Sequence, residues 1–260
     1  AIACYFGCYK LSLERIEVPT KEVEKGAFLR SMKSLMTNKP FIWVLSASLL
    51  AMLVQYLLTT VNIYLFKDYF GSTSALSLVG AIQMIAMFVC LPLVKPLVAK
   101  FGKKETALIG MSITTIVYTV LFFLKDLSAM QFVGIVAVGT FSMYLYNFVT
   151  WAFITDVTDY HEYKTSMRED ATVYGIIAMA RKVGLALAGG IGGVAIAAVG
   201  YDATLQTQTP EVLNGIYTLG TIVPAILYGL VVLVLFMYPL NKKKTAQLAE
   251  DLAAKRNANN

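Results

Sequence analysis

The sequence predicts an all-α integral membrane protein with six transmembrane helices. Composition is the first observation: 57% of the 260 residues are hydrophobic and 15% charged, where soluble chains carry roughly 45–50% and about 25%. Clustering is the second. Residues 41–66, 75–94, 106–124, 128–155 and 212–240 contain no Asp, Glu, Lys or Arg, and 171–201 is broken only by Arg181 and Lys182. Each run reaches or approaches the roughly 20 residues that span a bilayer as a helix. The third is where the 22 Lys and Arg lie. Seventeen occupy the linker before the first span, the turns after the second and fourth, and the tail, while the opposite side holds only Lys67 and Lys125. That bias places both ends of the chain in the cytoplasm, and six crossings satisfy it. Soluble enzymes, nucleic-acid modules and disulfide scaffolds are excluded as descriptions of the whole.

Residues 1–9 are an apolar stub running into charges, and read as the end of a transmembrane helix cut mid-span. Residues 10–40 form a polar linker, in which Phe28, Leu29, Met32, Leu35 and Met36 recur at helical spacing among Arg30, Lys33 and Lys39. A basic helix with one apolar face lies along a membrane surface. Residues 41–240 are the six-helix domain and 241–260 a solvated, partly helical tail. Pro40 suits the opening turn of the first span, and Pro92 and Pro96 bend or end the second. The fourth span carries Tyr144, Tyr146, Asn147, Thr150 and Trp151, more polar and aromatic groups than lipid contact needs. In the fifth, Gly189 and Gly193 form a small-xxx-small pair suited to close helix packing. Cys4, Cys8 and Cys90 read as small apolar packing residues, and no spacing suits a metal or a catalytic triad.

Two constellations carry function. Arg181 and Lys182 lie about 15 Å into the fifth span, near mid-bilayer. A cation there costs about 2.5–3.5 kcal/mol by insertion scales, so it faces a protein interior or water-filled cavity and needs a partner. No span offers a carboxylate. Neighbouring residues diverge by about 100° on a helix, so one of the two points into the cavity, with Lys182 the stronger candidate. The second is the segment 156–170, with five carboxylates and three potential cations, including His161, the chain's one histidine. Asp156 and Asp159 stand one turn apart at a helix exit, near Lys100, Lys103 and Lys104. Breakable charge pairs there suit a gate, since exposed pairs contribute only about 0–1 kcal/mol each.

Taken in order, Asn38-Lys-Pro, Phe101-Gly-Lys-Lys, Trp151-Ala-Phe-Ile-Thr-Asp, Asp159-Tyr-His-Glu-Tyr-Lys, Arg168-Glu-Asp-Ala-Thr-Val-Tyr, Ala180-Arg-Lys-Val-Gly and Gly200-Tyr resemble the carboxy-terminal half of a glycoside–pentoside–hexuronide:cation symporter. This is the melibiose-permease-like branch of the major facilitator superfamily. The resemblance implies a twelve-helix carrier that rocks between two faces and moves a sugar or glycoside with Na⁺, H⁺ or Li⁺, with no other cofactor. It implies a second six-helix half as partner, a multi-pass place in the plasma (inner) membrane, and no nucleic acid. Lys182 matches the family's lysine at the sugar and cation region. Arg181 and Ala178 match pocket-lining positions, and Asn147 falls where melibiose permease has a pocket tryptophan. Trp151 belongs to the same pathway, and the gate charges map onto Asp156, Asp159 and Arg168, with Lys103 beside them. The Arg-Lys-x-Gly version is similar to glucuronide carriers, whose carboxylate suits two adjacent cations. The alternatives are a lysolipid-like carrier on the same fold and a complete six-helix membrane protein of another class.

Overall fold

The computed structural model describes residues 2–11 and 27–258. Among these are nine α-helices, one π-helical turn and no strand. Helix α1 spans Ile2–Leu11 and α2 Ala27–Leu35. The bundle follows as α3 (Lys39–Tyr64), α4 (Thr73–Phe101), α5 (Lys103–Phe123), α6 (Ala129–Thr165), α7 (Asp170–Ala198) and α8 (Pro210–Met237), with α9 (Lys242–Ala258) behind it. These six long helices are each apolar enough to cross a membrane. In hydrocarbon a helix is the economical solution because it pairs its backbone groups internally. The amphipathic stretch of the linker is helical where described, as α2; its remainder over 12–26 lies outside the described residues.

Helix ends follow local chemistry. Asn38 caps α3, its side chain accepting from Phe41 N at 3.2 Å. Ser128 and Gln131 form a reciprocal capping box at the start of α6, which satisfies two otherwise orphaned donors. At Gly102 the chain passes from α4 to α5 with φ +103, a conformation that favours glycine.

Four boundaries differ from expectation. The first span is extended by a π turn, Leu65–Tyr69, whose Tyr69 hydroxyl donates to the Lys125 carbonyl at 2.9 Å. Pro92 and Pro96 do not end α4, which runs through both to Phe101. Helix α6 is 37 residues long, about 55 Å at 1.5 Å per residue. It therefore absorbs most of the segment expected as a loop, so Asp156 and Asp159 lie on a helix and not at its exit. The tail is a docked helix: Leu248 and Leu252 of α9 are buried, and α9 packs against α6.

In packing order the bundle runs α4, α6, α5, α8, α3, α7, and α3 and α7 also touch α6. Helices α4 and α7 are the least buried of the six. The close approach of α7 to α3 uses Gly184, Ala188 and Gly192, all buried and spaced by four. A Cβ at Gly184 would meet the Leu49 carbonyl at 3.0 Å, and one at Gly192 the Thr60 side chain at 3.0 Å. The pair expected to pack, Gly189 and Gly193, instead faces open space. Its spacing is the same, but it lies on the other side of the helix. Of the cysteines, Cys90 is buried and donates to the Phe141 carbonyl at 3.3 Å, whereas Cys8 is exposed.

The two small-residue pairs therefore separate in a stability test. Gly192→Leu should lower the stability of the detergent-purified protein by about 1–3 kcal/mol through overpacking. Gly193→Leu should leave the thermal unfolding midpoint nearly unchanged. Equal loss from both would contradict this packing.

Candidate functional site

Two stripes converge on a groove near mid-depth. Tyr144, Asn147, Phe148 and Trp151 share one face of α6 at helical spacing, and Met52, Gln55 and Tyr56 do the same on α3. Together with Met87 of α4 and Arg181 of α7 they line a cavity of about 220 Å³. Arg181 lies eleven residues into α7, about 16 Å from its start. Its guanidinium stands 5.3 Å from the centre of the Trp151 ring, a cation–π contact that strengthens when desolvated. The same indole stacks on Tyr174, with centroids 5.4 Å apart and planes 25° apart. Trp151 and Tyr174 also line a wider cleft of about 670 Å³ between α6 and α7, walled further by Ile154, Thr155 and Thr158. Trp151 thus separates the two spaces.

Arg181, Asn147 and Trp151 are brought together as sequence reasoning placed them. Lys182 and Ala178 do not line this groove. Lys182 is exposed on the next face of α7, and Ala178 is half-buried a turn before it. Of the adjacent cations, Arg181 is the one that lines this groove, whereas Lys182, the stronger candidate by sequence, lies on the exposed face of α7. Neither has a carboxylate within ion-pair distance among the described residues.

Sequence reasoning missed Gln55, and with it a second, water-sized cavity of about 30 Å³ deeper in the bundle. Gln55, Thr59 and Asn62 of α3, Gln83 of α4, Thr114 of α5 and Thr140 of α6 bring polar groups to its walls. Gln55 belongs to both spaces. The signal was available: Gln55, Thr59 and Asn62 recur at steps of four and three within an otherwise apolar span.

The charged end holds the other constellation. Lys103 Nζ lies 2.5 Å from Asp156 Oδ1 and also donates to the Ala152 carbonyl. Asp156 is only 6% exposed. Arg168 binds three carboxylates: Asp170 at 2.6 Å, Glu162 at 2.9 Å and Asp159 at 3.1 Å. Its hydrogen bond to Asp170, supported by those to Glu162 and Asp159, holds the guanidinium above its ordinary pKa, so it stays charged. Glu162 also receives Arg256 of α9 at 2.6 Å. Asp156, Asp159, Arg168 and Lys103 are therefore all paired, as two separate sets. Glu162, Asp170 and Arg256 complete the second set and were not singled out. Glu162 follows Asp159 by three residues and so was legible; Arg256 is a long-range contact and was not. Among the described residues no group of three or more His, Cys, Asp or Glu could hold a metal ion.

Six spanning helices with a polar, cation-bearing groove define a multi-pass membrane protein with the fold of a six-helix half of a major facilitator bundle. The chain belongs to the MFS/sugar transport protein family, which matches residues 1–242. It is 27% identical over 252 residues to the Bacillus subtilis (strain 168) "Uncharacterized symporter YjmB", covering 96% of this chain and 54% of that protein. The Escherichia coli (strain K12) "Glucuronide carrier protein homolog" is 26% identical, with 95% and 54% covered. The "Putative sulfoquinovose importer" of the same strain is 28% identical, with 96% and 53% covered. The chain spans about half the length of the curated relatives it matches.

The two ionic sets should differ in worth. Asp156→Asn removes the charged partner of Lys103 at a buried position and should destabilise by about 1–3 kcal/mol. Asp159→Asn removes one of three carboxylates from an exposed guanidinium and should cost under about 1 kcal/mol. Thermal unfolding of the two variants side by side checks the order, and a larger loss for Asp159→Asn would reverse it.

Proposed function

We propose that this chain is the carboxy-terminal half of a cation-coupled symporter that moves a sugar or glycoside bearing an acidic group by alternating access. Arg181 carries the reading. A guanidinium at mid-membrane beside Asn147 and Gln55, with an indole beside it and no carboxylate partner among the described residues, is placed to take one from a solute. Arg offers a planar fork that matches a carboxylate or a similar oxyanion. Asn147 and Gln55 each carry a donor and an acceptor, which suits sugar hydroxyls, and the Trp151 ring offers an apolar face. Two of the relatives are named for a glucuronide and for sulfoquinovose, both sugars with an acidic substituent.

On this reading a second six-helix half covers the exposed faces of α4 and α7. Lys182, beside Arg181 on the uncovered side of α7, then faces that half and serves coupling to Na⁺ or H⁺ rather than gripping the sugar. The charged end is cytoplasmic by the positive-inside distribution. Its paired carboxylates and cations, Asp156, Asp159, Arg168 and Lys103 among them, close that side and part as the halves rock.

Uptake by the intact carrier in proteoliposomes tests the substrate assignment with glycosides differing only at the C6 carboxylate. Arg181→Gln should raise KM for the anionic member at least tenfold, about 1.4 kcal/mol, and leave the neutral member little changed. Equal competition by both members against the unsubstituted carrier would end the acidic-sugar reading. Lys182→Ala should abolish accumulation against a gradient while the protein still reaches the membrane. Orientation is checked with single cysteines on a cysteine-free background: Asp126→Cys should react with an impermeant maleimide on intact cells, and Lys243→Cys only after permeabilisation.

A further inference from the structure

Away from the groove, the charged end holds a cavity of about 270 Å³ between the start of α3 and the end of α6. Its walls include Ser34, Thr37, Lys39, His161, Lys164 and Thr165. Of the cations at this end, Lys103 is engaged by Asp156, Arg168 by three carboxylates and Arg256 by Glu162. Lys39 and Lys164, which line this cavity, are not engaged in that way. Neither pairs with a carboxylate among the described residues, and the one contact of the Lys164 ammonium is the Tyr160 ring at 5.9 Å. His161 is 2% exposed, and its ring makes no hydrogen bond; Nε2 is buried without a partner, with a Glu169 oxygen next nearest at 3.8 Å. A buried polar nitrogen left unbonded costs about 1–3 kcal/mol, and the Glu169 carboxylate at 3.8 Å is the charged group beside it.

We propose that this cavity binds a phosphate group. Two ammonium ions, the Ser34 hydroxyl and the imidazole give it donors on both sides, from α2 and α3 on one wall and α6 on the other. The Thr37 and Thr165 hydroxyls already donate to the Ser34 and His161 carbonyls, so the lysines supply the charge. A doubly charged tetrahedral anion has the oxygens to meet all four donors, and Lys is a common point-charge partner of phosphate. The α3 N-terminus adds a favourable field, although Asn38 already occupies the Phe41 N–H. Among the described residues Glu169 is the carboxylate close to the ring, and Lys39 and Lys164 supply the positive charge of the site. The phosphate belongs either to an anionic lipid headgroup at the membrane rim beside α2 or to a soluble phosphate ester. The proposal does not depend on which solute crosses the groove.

Two measurements on the purified intact carrier distinguish these sources. Titration calorimetry with inorganic phosphate reports the free anion. Native mass spectrometry after extraction from vesicles of phosphatidylglycerol and phosphatidylcholine reports the headgroup. The Lys39→Gln/Lys164→Gln double variant should bind at least tenfold more weakly in whichever measurement the unsubstituted protein responds to. Lys243→Gln/Lys244→Gln on α9 should behave as unsubstituted. Phosphate binding without lipid retention assigns a soluble ester, and lipid retention without phosphate binding assigns the headgroup. If neither probe binds, or if the double variant binds like the unsubstituted protein, the site does not exist.

Discussion

A guanidinium in hydrocarbon has to be solvated by protein, and that requirement organises the centre of this bundle. Arg181 sits too far from either end of α7 for its side chain to reach headgroup water. Trp151 supplies the face of its indole, and Tyr174 stacks on that indole. The groove stays polar because Asn147 and Gln55 rise from the two helices that flank the cation. Those helices must come close for this to work. The small residues Gly184, Ala188 and Gly192 let α7 lie close against α3, with Met52 and Thr60 of α3 against the two glycines, which fixes the azimuth at which residue 181 projects. The same rotation turns Lys182 out of the groove. One packing contact, made by absent side chains, therefore decides which of two adjacent cations meets the cavity.

The two ends of the bundle are held by different chemistry, and the difference suits a structure that opens at one end. At the end opposite the charges, Phe66, Phe70, Phe132, Tyr69 and Tyr217 form one aromatic cluster, with centroids about 5–6 Å apart in most pairs. The Tyr217 hydroxyl adds hydrogen bonds to the Leu121 and Leu124 carbonyls. The Tyr201 hydroxyl joins Asp68 at 3.1 Å, with burial and that carboxylate raising the phenol's pKa. Contacts of this kind are short-ranged and specific in geometry. The charged end relies instead on ion pairs at partly exposed groups, which exchange readily with water. Asp156 is the exception: it is buried with its lysine beside it, so that pair anchors α5 to α6 while the Arg168 set can rearrange around it.

Much of this was legible in one sequence. Six spans follow from charge-free runs, because hydrocarbon tolerates few alternatives to an apolar helix. The α6 stripe was visible as polar and aromatic residues at helical spacing, and Asn147, Trp151 and Arg181 do share a cavity. What failed did so for physical reasons. Charged residues mark the edge of the hydrocarbon, not the end of a helix, so α6 continued through Asp156 and Asp159 to Thr165. Two cations one residue apart cannot be ranked without the rotation of α7, and rotation is set by contact with α3. Gly189 and Gly193 have the same spacing as the packed set and a different azimuth, which composition does not reveal. The α9 dock depends on Leu248, Leu252 and Arg256 finding α6 almost a hundred residues earlier, and no local pattern announces that.

The distribution of exposure completes the argument about where the site lies. Helices α5 and α8 are packed within the bundle, whereas α4 and α7 leave broad apolar faces uncovered, with Met84, Phe88, Met179 and Val194 among the exposed side chains. In a membrane such faces meet either lipid or another helix, and apolarity does not distinguish the two. Polarity does. Lys182, exposed on α7, and Gln83 on α4 beside the inner cavity, are expensive against lipid tails. A second half seated there would give Lys182 a protein or aqueous neighbour and turn an open groove into an enclosed chamber. On the proposed reading the groove in this chain is one wall of a site shared with that half, which accounts for the uncovered faces of α4 and α7.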